Sequence, residues 1–235
     1  MYNVPTNNLF CMSHFEIEVK SLLGEKGNAD SLKEKMKTLD PNVKQISEHK
    51  QLNHYFVGGD VKELYKKVEH LFAGEDHDKF QRVIERGNDF TIRSRQKDDE
   101  VLLVVKASID EGESANTIKR IEFEEPVKVT LGELDELIMS AGFDYQAKWS
   151  REREEYEYKN ASVCIDKNAG YGYLAEFEKI VHDESEADSV RDEIDTLMSE
   201  LGVEELMQDR LARMFDFYNK NWPDYYGTDK TFTIE

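Results

Sequence analysis

The sequence is poor in cysteine. Its 235 residues include only two, Cys11 and Cys164. They stand far apart and form no Cys-x-x-Cys or Cys/His spacing, so a zinc site or a redox pair has little support. A chain of this length buries a core without disulfides or a structural metal. We expect Cys164, in the apolar run 162–165, to be a small core residue.

Long apolar runs are also missing. The longest, at residues 101–105, is far too short to span a bilayer. The N-terminus has no basic region followed by an apolar stretch. We therefore expect a cytoplasmic protein with no membrane partner.

Basic residues are the scarcer of the two charge types. Lysine and arginine number 31 against 50 aspartates and glutamates, which gives a formal net charge of −19. Nucleic acids and anionic membranes attract positively charged surfaces, so this balance argues against both partners. Any site for an anion must concentrate its basic residues locally.

Several short segments place charged residues two positions apart. Glu16-Ile-Glu18-Val-Lys20 puts its charges on one face of a predicted strand and its apolar residues on the other. The alternation returns at residues 91–95, 120–124, 151–153 and 176–178. Acidic pairs and arginine pairs occupy different strands. The pattern predicts one shared charged surface rather than five unrelated solvated strands.

Such a surface suits a polyanion together with a metal ion. Paired carboxylates supply the hard oxygen ligands that Mg²⁺ or Mn²⁺ prefers. Arginines supply bidentate forks for phosphate oxygens. An isolated charged pair on a strand usually has no measurable effect, so the interpretation depends on the joint pattern.

The remaining patterns predict an α+β protein. Apolar spacing and capping signals indicate helices after Asp60, after Thr130 and twice near the C-terminus, separated by strands. We expect a flexible leader at 1–13, one domain at 14–220 and a tail at 221–235. Eight or so strands with charges alternating against apolar residues predict a closed eight-stranded antiparallel β-barrel with a charged interior, surrounded by amphipathic helices.

The order of these motifs resembles the CYTH superfamily of triphosphate tunnel metalloenzymes, which includes class IV adenylyl cyclases and thiamine triphosphatases. The resemblance begins with Glu-x-Glu-x-Lys at 16–20 and continues through the Arg-x-Arg strand at 93–95 and the lysine strand at Lys106. It then covers 120–124, 151–156, Asp166 and 176–178. It spans residues 14 to 180.

The resemblance implies a tunnel that holds a triphosphate and one or two divalent cations, Mg²⁺ or Mn²⁺. The implied metal ligands are Glu16, Glu18, Asp166, Glu176 and Glu178. Glu122 and Glu124 would lie in the same tunnel and either bind metal through water or hold basic residues in place. The predicted substrate-binding residues are Lys20, Arg93, Arg95, Lys106, Arg120, Arg151 and Arg153.

The predicted activity is metal-dependent hydrolysis of tripolyphosphate, thiamine triphosphate or a nucleoside triphosphate, with Lys20 and Lys106 as candidate catalytic residues. Two alternatives stay open: cyclisation of ATP to cyclic AMP, and a noncatalytic polyphosphate or nucleotide sensor. The partner would be a small triphosphate, and the protein a monomer or homodimer. Asn53 stands where the family often has an acid. Trp222, Tyr225 and Tyr226 could stack on a nucleobase or pack on the barrel.

Overall fold

The computed structural model describes residues 15–108, 120–181 and 183–234. The predicted leader and the predicted turn at 110–117 lie outside these ranges, as do the side chains of Glu16 and Arg120. Within the described ranges, eight antiparallel strands form one sheet. They are β1 (Phe15–Gly24), β2 (Lys44–Gly58), β3 (Asn88–Lys97), β4 (Glu100–Ser108), β5 (Arg120–Val127), β6 (Phe143–Tyr158), β7 (Ala161–Asn168) and β8 (Gly172–Val181).

Six α-helices accompany the sheet in the described ranges. They are α1 (Lys26–Leu39), α2 (Val61–Val68), α3 (Glu75–Arg86), α4 (Leu131–Ser140), α5 (Ala187–Leu201) and α6 (Gln208–Asn221). Short 3-10 turns occur at Glu69–Leu71, Glu184–Glu186 and Trp222–Asp224. No helix in the described ranges is both long and apolar enough to cross a membrane.

The predicted helix signals are found at the helix ends. The carboxylate of Asp60 accepts from two amides of the first turn of α2. Thr130 and Glu133 form a reciprocal capping box at the start of α4. Gly202 ends α5 in the left-handed conformation at φ 66°, which glycine adopts at little cost. Local sequence thus sets these helix boundaries.

The prediction of a closed barrel is wrong. The strand order is β1-β8-β7-β6-β2-β3-β4-β5, and β1 and β5 end the sheet without pairing with each other in the described ranges. A barrel needs its two edge strands to share hydrogen bonds. At the β1 edge, the carbonyl of Lys20 instead accepts from the amide of Leu206, at 2.7 Å, in the connection between α5 and α6. The sheet is therefore open, with one edge partly covered.

Two apolar cores cover the face of the sheet that carries the helices. One packs α2, α3 and α4 on β2 to β5 around Phe80 and Phe123, whose stacked rings lie 4.6 Å apart. The other packs α1 and α5 on β1 and β6 to β8 around Phe177. Side chains alternate between the two faces of a strand, so the residues between these apolar positions lie on the opposite face. We call that opposite face the charged face.

A third core lies at one end of the charged face. Helix α6 packs Met214 and Tyr218 there, and the ring of Tyr218 stacks on Trp149 at 3.6 Å. The C-terminal segment follows and bonds to the β7–β8 turn through Gly170 and Phe232. This end of the charged face is consequently apolar and filled by the protein itself.

Candidate functional site

The antiparallel register brings the charged pairs of the sequence onto the charged face. The directly opposed residues on neighbouring strands are Glu18 and Glu178, Lys20 and Glu176, Arg153 and Asp166, and Lys106 and Glu122. Opposed side chains in such a ladder lie close enough to interact. Glu16 stands opposite Ile180 and Arg120 opposite Ser108 in the backbone register. The shared surface inferred from the alternation is thus present as a set of adjacent positions.

Acidic residues occupy the β1–β8 side of this face. The ammonium of Lys20 contacts Glu18 and lies 3.4 Å from a carboxylate oxygen of Glu176. Burial favours the neutral form of Glu176, but Lys20, Arg153 and Arg151 together outweigh it, so the pKa of Glu176 is lowered. Glu176 is therefore ionised, and the ammonium of Lys20 lies between it and Glu18.

Two arginines of β6 bind one buried carboxylate of β7. Arg153 donates to both oxygens of Asp166 at 2.7 and 2.6 Å, and Arg151 adds a contact at 3.1 Å. Arg153 also reaches Glu176. Burial disfavours the charged guanidinium, but Asp166 and Glu176 outweigh it and raise the pKa of Arg153. Asp166 is 1% exposed, so these contacts are shielded from water.

Cys164 belongs to this region as well. It is buried, as predicted, and its alternation places it on the charged face, opposite Glu176 of β8 and Glu155 of β6. Burial raises the pKa of its thiol to about 11. The thiol is therefore protonated at neutral pH and unsuited to nucleophilic chemistry.

Basic residues gather on the β2–β3 side. Arg95 is 9% exposed and donates to Asn53 at 2.8 Å and to Glu124 at 2.6 Å. Burial lowers the pKa of Arg95, Glu124 opposes that effect, and the nearby charges of Arg151 and Arg93 add to it. Three guanidiniums thus repel one another across this part of the face.

Arg93 differs from its neighbours in having no carboxylate partner among the described residues. Its guanidinium lies over the ring of Tyr55, 4.6 Å from the centroid, and its buried Nε has no hydrogen-bond partner there. An arginine has five N–H donors to satisfy. Arg93 therefore offers donors for an incoming anion.

At the β4–β5 edge, Lys106 lies 2.9 Å from Glu122. Together with the Arg95–Glu124 contact, this pairs each predicted acid of β5 with a base, Lys106 on the adjacent strand β4 and Arg95 one strand further, on β3. The arrangement agrees with the alternative in which Glu122 and Glu124 hold basic residues in place. Their predicted role as metal ligands stays a prediction.

Sequence reasoning missed the contribution of β2. Ser47, His49, Gln51 and Asn53 follow one another at every second position and lie along the charged face between β6 and β3. His49, Gln51 and Asn53 are buried. Asn53, at the position where an acid was expected, orients Arg95. The period-two run of polar residues could have identified this strand as part of the site.

The aromatic tail packs on the protein. Tyr226 shares a 2.7 Å hydrogen bond with His54, and its ring packs against Trp222. Tyr225 packs against Phe217 and Phe232. Of the two roles expected for these rings, the structure shows packing.

The donor set of the acidic side suits a hard divalent cation. Carboxylates of Glu18, Glu176 and Glu178 stand on two adjacent strands, and opposed like charges favour a cation between them. Lys20 takes that position here. Within the ranges that the structure describes, no three acidic, histidine or cysteine side chains are already grouped as a metal site. Metal binding would thus require these side chains to move, with Lys20 leaving its carboxylates.

The chain has the domain of a known family. The model of the CYTH domain matches residues 83–211, more than half of the chain, and the protein belongs to that family, as the motif order predicted. A search of curated proteins finds no match.

Solved structures show the same fold. The PH1012 protein of Pyrococcus horikoshii OT3 is 19% identical, with 80% of this chain and 91% of that one covered and a TM-score of 0.55. The PH1819 protein of the same organism is 21% identical, with coverage of 82% and 93% and a TM-score of 0.53. A Vibrio parahaemolyticus protein described as a candidate adenylate cyclase is 14% identical, with coverage of 83% and 94% and a TM-score of 0.53.

Proposed function

We propose that the protein hydrolyses a triphosphate at the charged face with the help of a divalent cation. The observation that carries the proposal is the group of Arg93, Arg95 and Arg151 on one face of a protein with net charge −19. Guanidiniums that repel one another are stabilised by a shared anion. Arg93, which has no carboxylate partner in the described ranges, would bind that anion without breaking an existing ion pair.

The carboxylates would hold the cation. Glu18, Glu176 and Glu178 are our proposed ligands, with Glu16 two positions before Glu18 in β1. A bound Mg²⁺ or Mn²⁺ would neutralise phosphate oxygens and stabilise the charge that develops in the reaction. Asp166 also stays a predicted ligand, although both its oxygens accept from arginines in this structure.

The basic residues would orient the substrate. Arg93, Arg95, Arg151 and Arg153 would bind phosphate oxygens, with Arg120 at the β5 edge. Lys20 and Lys106, our candidate catalytic residues, each contact a carboxylate now and would turn to the phosphates once the substrate is bound. Catalysis would come from positioning and electrostatic stabilisation of the attacking water and the transferred phosphoryl group.

Cyclisation of ATP is a second candidate, supported by the described activity of the Vibrio neighbour. Cyclisation requires a protein surface against which the nucleobase can pack. The candidate rings for that surface, Trp222, Tyr225 and Tyr226, pack against other parts of the protein, and helix α6 fills the adjoining end of the charged face. These contacts favour hydrolysis of a compact triphosphate.

The test is an incubation of the protein with tripolyphosphate, thiamine triphosphate or ATP, each with Mg²⁺ or Mn²⁺, and separate detection of orthophosphate, pyrophosphate and cyclic AMP. Orthophosphate release that EDTA abolishes supports the proposal and names the substrate. Formation of cyclic AMP and pyrophosphate would instead identify the protein as an adenylyl cyclase. Binding of a triphosphate without any product would identify it as a noncatalytic sensor. Lys37→Gln removes a positive charge at an exposed position of α1 and should have the activity of the wild type.

A further inference from the structure

His49 lies in a continuous chain of hydrogen bonds on the charged face. The Nε of Arg151 donates to Oε1 of Gln51 at 2.7 Å, and Nε2 of Gln51 lies 2.7 Å from Nε2 of His49. On the other side of the ring, Nδ1 of His49 lies 3.3 Å from the hydroxyl of Ser47. That hydroxyl donates to Glu155 at 2.6 Å. The chain runs from a guanidinium to a carboxylate.

The arginines fix the direction of every bond in this chain. A guanidinium donates and never accepts, so Arg151 requires the oxygen of the Gln51 amide. Arg95 likewise requires the oxygen of Asn53, whose amide nitrogen then donates to the same Gln51 oxygen at 3.3 Å. The nitrogen of Gln51 is left to face His49. His49 therefore accepts at Nε2 and carries its proton at Nδ1, toward Ser47.

Protonation of His49 cannot be accommodated in this arrangement. A second proton at Nε2 would face the amide nitrogen of Gln51, so two donors would meet at 2.7 Å. Turning the Gln51 amide to present its oxygen would place its nitrogen against Arg151 and Asn53, which are also donors. Arg151 would then lose its bond to Gln51.

Charged groups on the strands that pack against His49 affect the pKa of its ring. Burial, Lys97 of β3 and Arg153 of β6 lower the pKa of His49, and Glu155 of β6 and Asp98 after β3 oppose them only in part. The net shift is downward, so the ring is neutral at neutral pH. The hydrogen-bond chain and the local charges therefore both favour the neutral form of His49.

We propose that neutral His49 is a positioning residue, which fixes Gln51 and through it the Nε of Arg151, and that protonation of His49 breaks the bond between Gln51 and Arg151 and weakens triphosphate binding. The part concerning the triphosphate rests on the proposed function. The part concerning the ring does not, because the chain of hydrogen bonds joins protein atoms only.

The first experiment measures the ring itself. NMR of protein labelled with ¹⁵N-histidine distinguishes the two neutral tautomers and follows each titration, and His49→Gln assigns the signal among the six histidines. We expect the Nδ1–H tautomer at pH 7 and a titration midpoint below the ordinary value of 6.5. The Nε2–H tautomer, or a midpoint above that value, would overturn the proposal.

The second experiment measures tripolyphosphate affinity by calorimetry in EDTA from pH 8 to pH 5. Glutamine at position 49 keeps an acceptor for Gln51 but cannot be protonated. We expect wild-type affinity to fall by roughly tenfold relative to His49→Gln as the pH drops through the midpoint, because a charged hydrogen bond is lost. His77→Gln, at a histidine that bonds Tyr65, should follow the wild type.

Arg151→Gln separates the mechanism from a general effect of charge. With Arg151 removed, the pH dependence should be the same whether position 49 holds histidine or glutamine. Parallel pH curves for wild type and His49→Gln, or wild-type affinity that rises on acidification relative to that variant, would overturn the proposal. A wild-type protein that binds no tripolyphosphate at any pH would overturn the proposed function, and the NMR titration would still decide the state of His49.

Discussion

Arg153 and Asp166 stand opposite each other on β6 and β7, and the guanidinium of the first donates to both oxygens of the second. The carboxylate is buried, and Arg151 contacts the same Oδ2 atom that accepts from Nη2 of Arg153. Coulomb attraction is strong where water is excluded, but the desolvation cost is also large. The pair is therefore sensitive to loss of either partner.

Asp166→Asn should destabilise the protein by about 3 to 5 kcal/mol, since it leaves two guanidiniums without their shared carboxylate. Urea unfolding monitored by circular dichroism measures this change. Glu152→Gln, an exposed change on the same hairpin, should have an effect of at most about 0.5 kcal/mol. Equal unfolding free energies for Asp166→Asn and wild type would show that the guanidiniums do not depend on Asp166.

Arg93→Gln should weaken tripolyphosphate binding by roughly tenfold or more, because a charged hydrogen-bond donor is lost. Its unfolding free energy should change little, since the guanidinium has no carboxylate partner among the described residues. Arg95→Gln gives the contrast, because it also breaks the contacts with Asn53 and Glu124 and should lose stability. Unchanged tripolyphosphate affinity in Arg93→Gln would remove this residue from the site.

The sequence predicted the strands and the residues of the charged face well, because alternation and register depend on local pattern. Glu18, Lys20 and Glu176 meet because period-two residues share a face. Barrel closure was predicted wrongly, since it depends on which chain segment reaches the β1 edge, and the amide of Leu206 does so here. His49 was missed because its importance depends on Arg151, which lies in another strand and shows no relation in sequence to the period-two run of β2.

A second buried network lies on the helix-bearing face and ties the tail to the sheet. Asp135 of α4 accepts from Tyr145 at 2.6 Å and from Ser94, and lies 2.7 Å from His54, which also bonds Tyr226. Burial would raise the pKa of Asp135, but these hydrogen bonds outweigh it and lower the pKa below 3.8. The network therefore stabilises the folded protein while Asp135 is ionised.

Asp135→Asn should cost about 3 kcal/mol at pH 7, because the amide cannot accept from all three donors. The folded-state pKa is below the unfolded value, so the contribution of the carboxylate is present above the unfolded value and is lost as the pH falls through the folded one. The difference in unfolding free energy between wild type and variant should shrink below about pH 4. A difference that is constant from pH 7 to pH 3 would contradict this account.

Removal of the opposed carboxylates Glu18 and Glu178 tests the proposed cation site. The double variant Glu18→Gln, Glu178→Gln should change its unfolding free energy by at most about 1 kcal/mol, because relief of the repulsion between the opposed carboxylates offsets the loss of the contact between Glu18 and Lys20. Direct Mn²⁺ binding, measured by electron paramagnetic resonance of the free ion, should weaken by roughly tenfold or more as two hard oxygen ligands are lost. Glu34→Gln, at an exposed position of α1, should bind Mn²⁺ as the wild type does.

The variant also separates the cation from the anion. Tripolyphosphate affinity in EDTA should be unchanged or higher in the double variant, because two negative charges have been removed near the arginines. Its affinity in Mn²⁺ should fall below that of the wild type, because the cation no longer bridges protein and phosphate. Mn²⁺ binding equal to that of the wild type would place the cation elsewhere on the protein and leave the arginine group as an anion site alone.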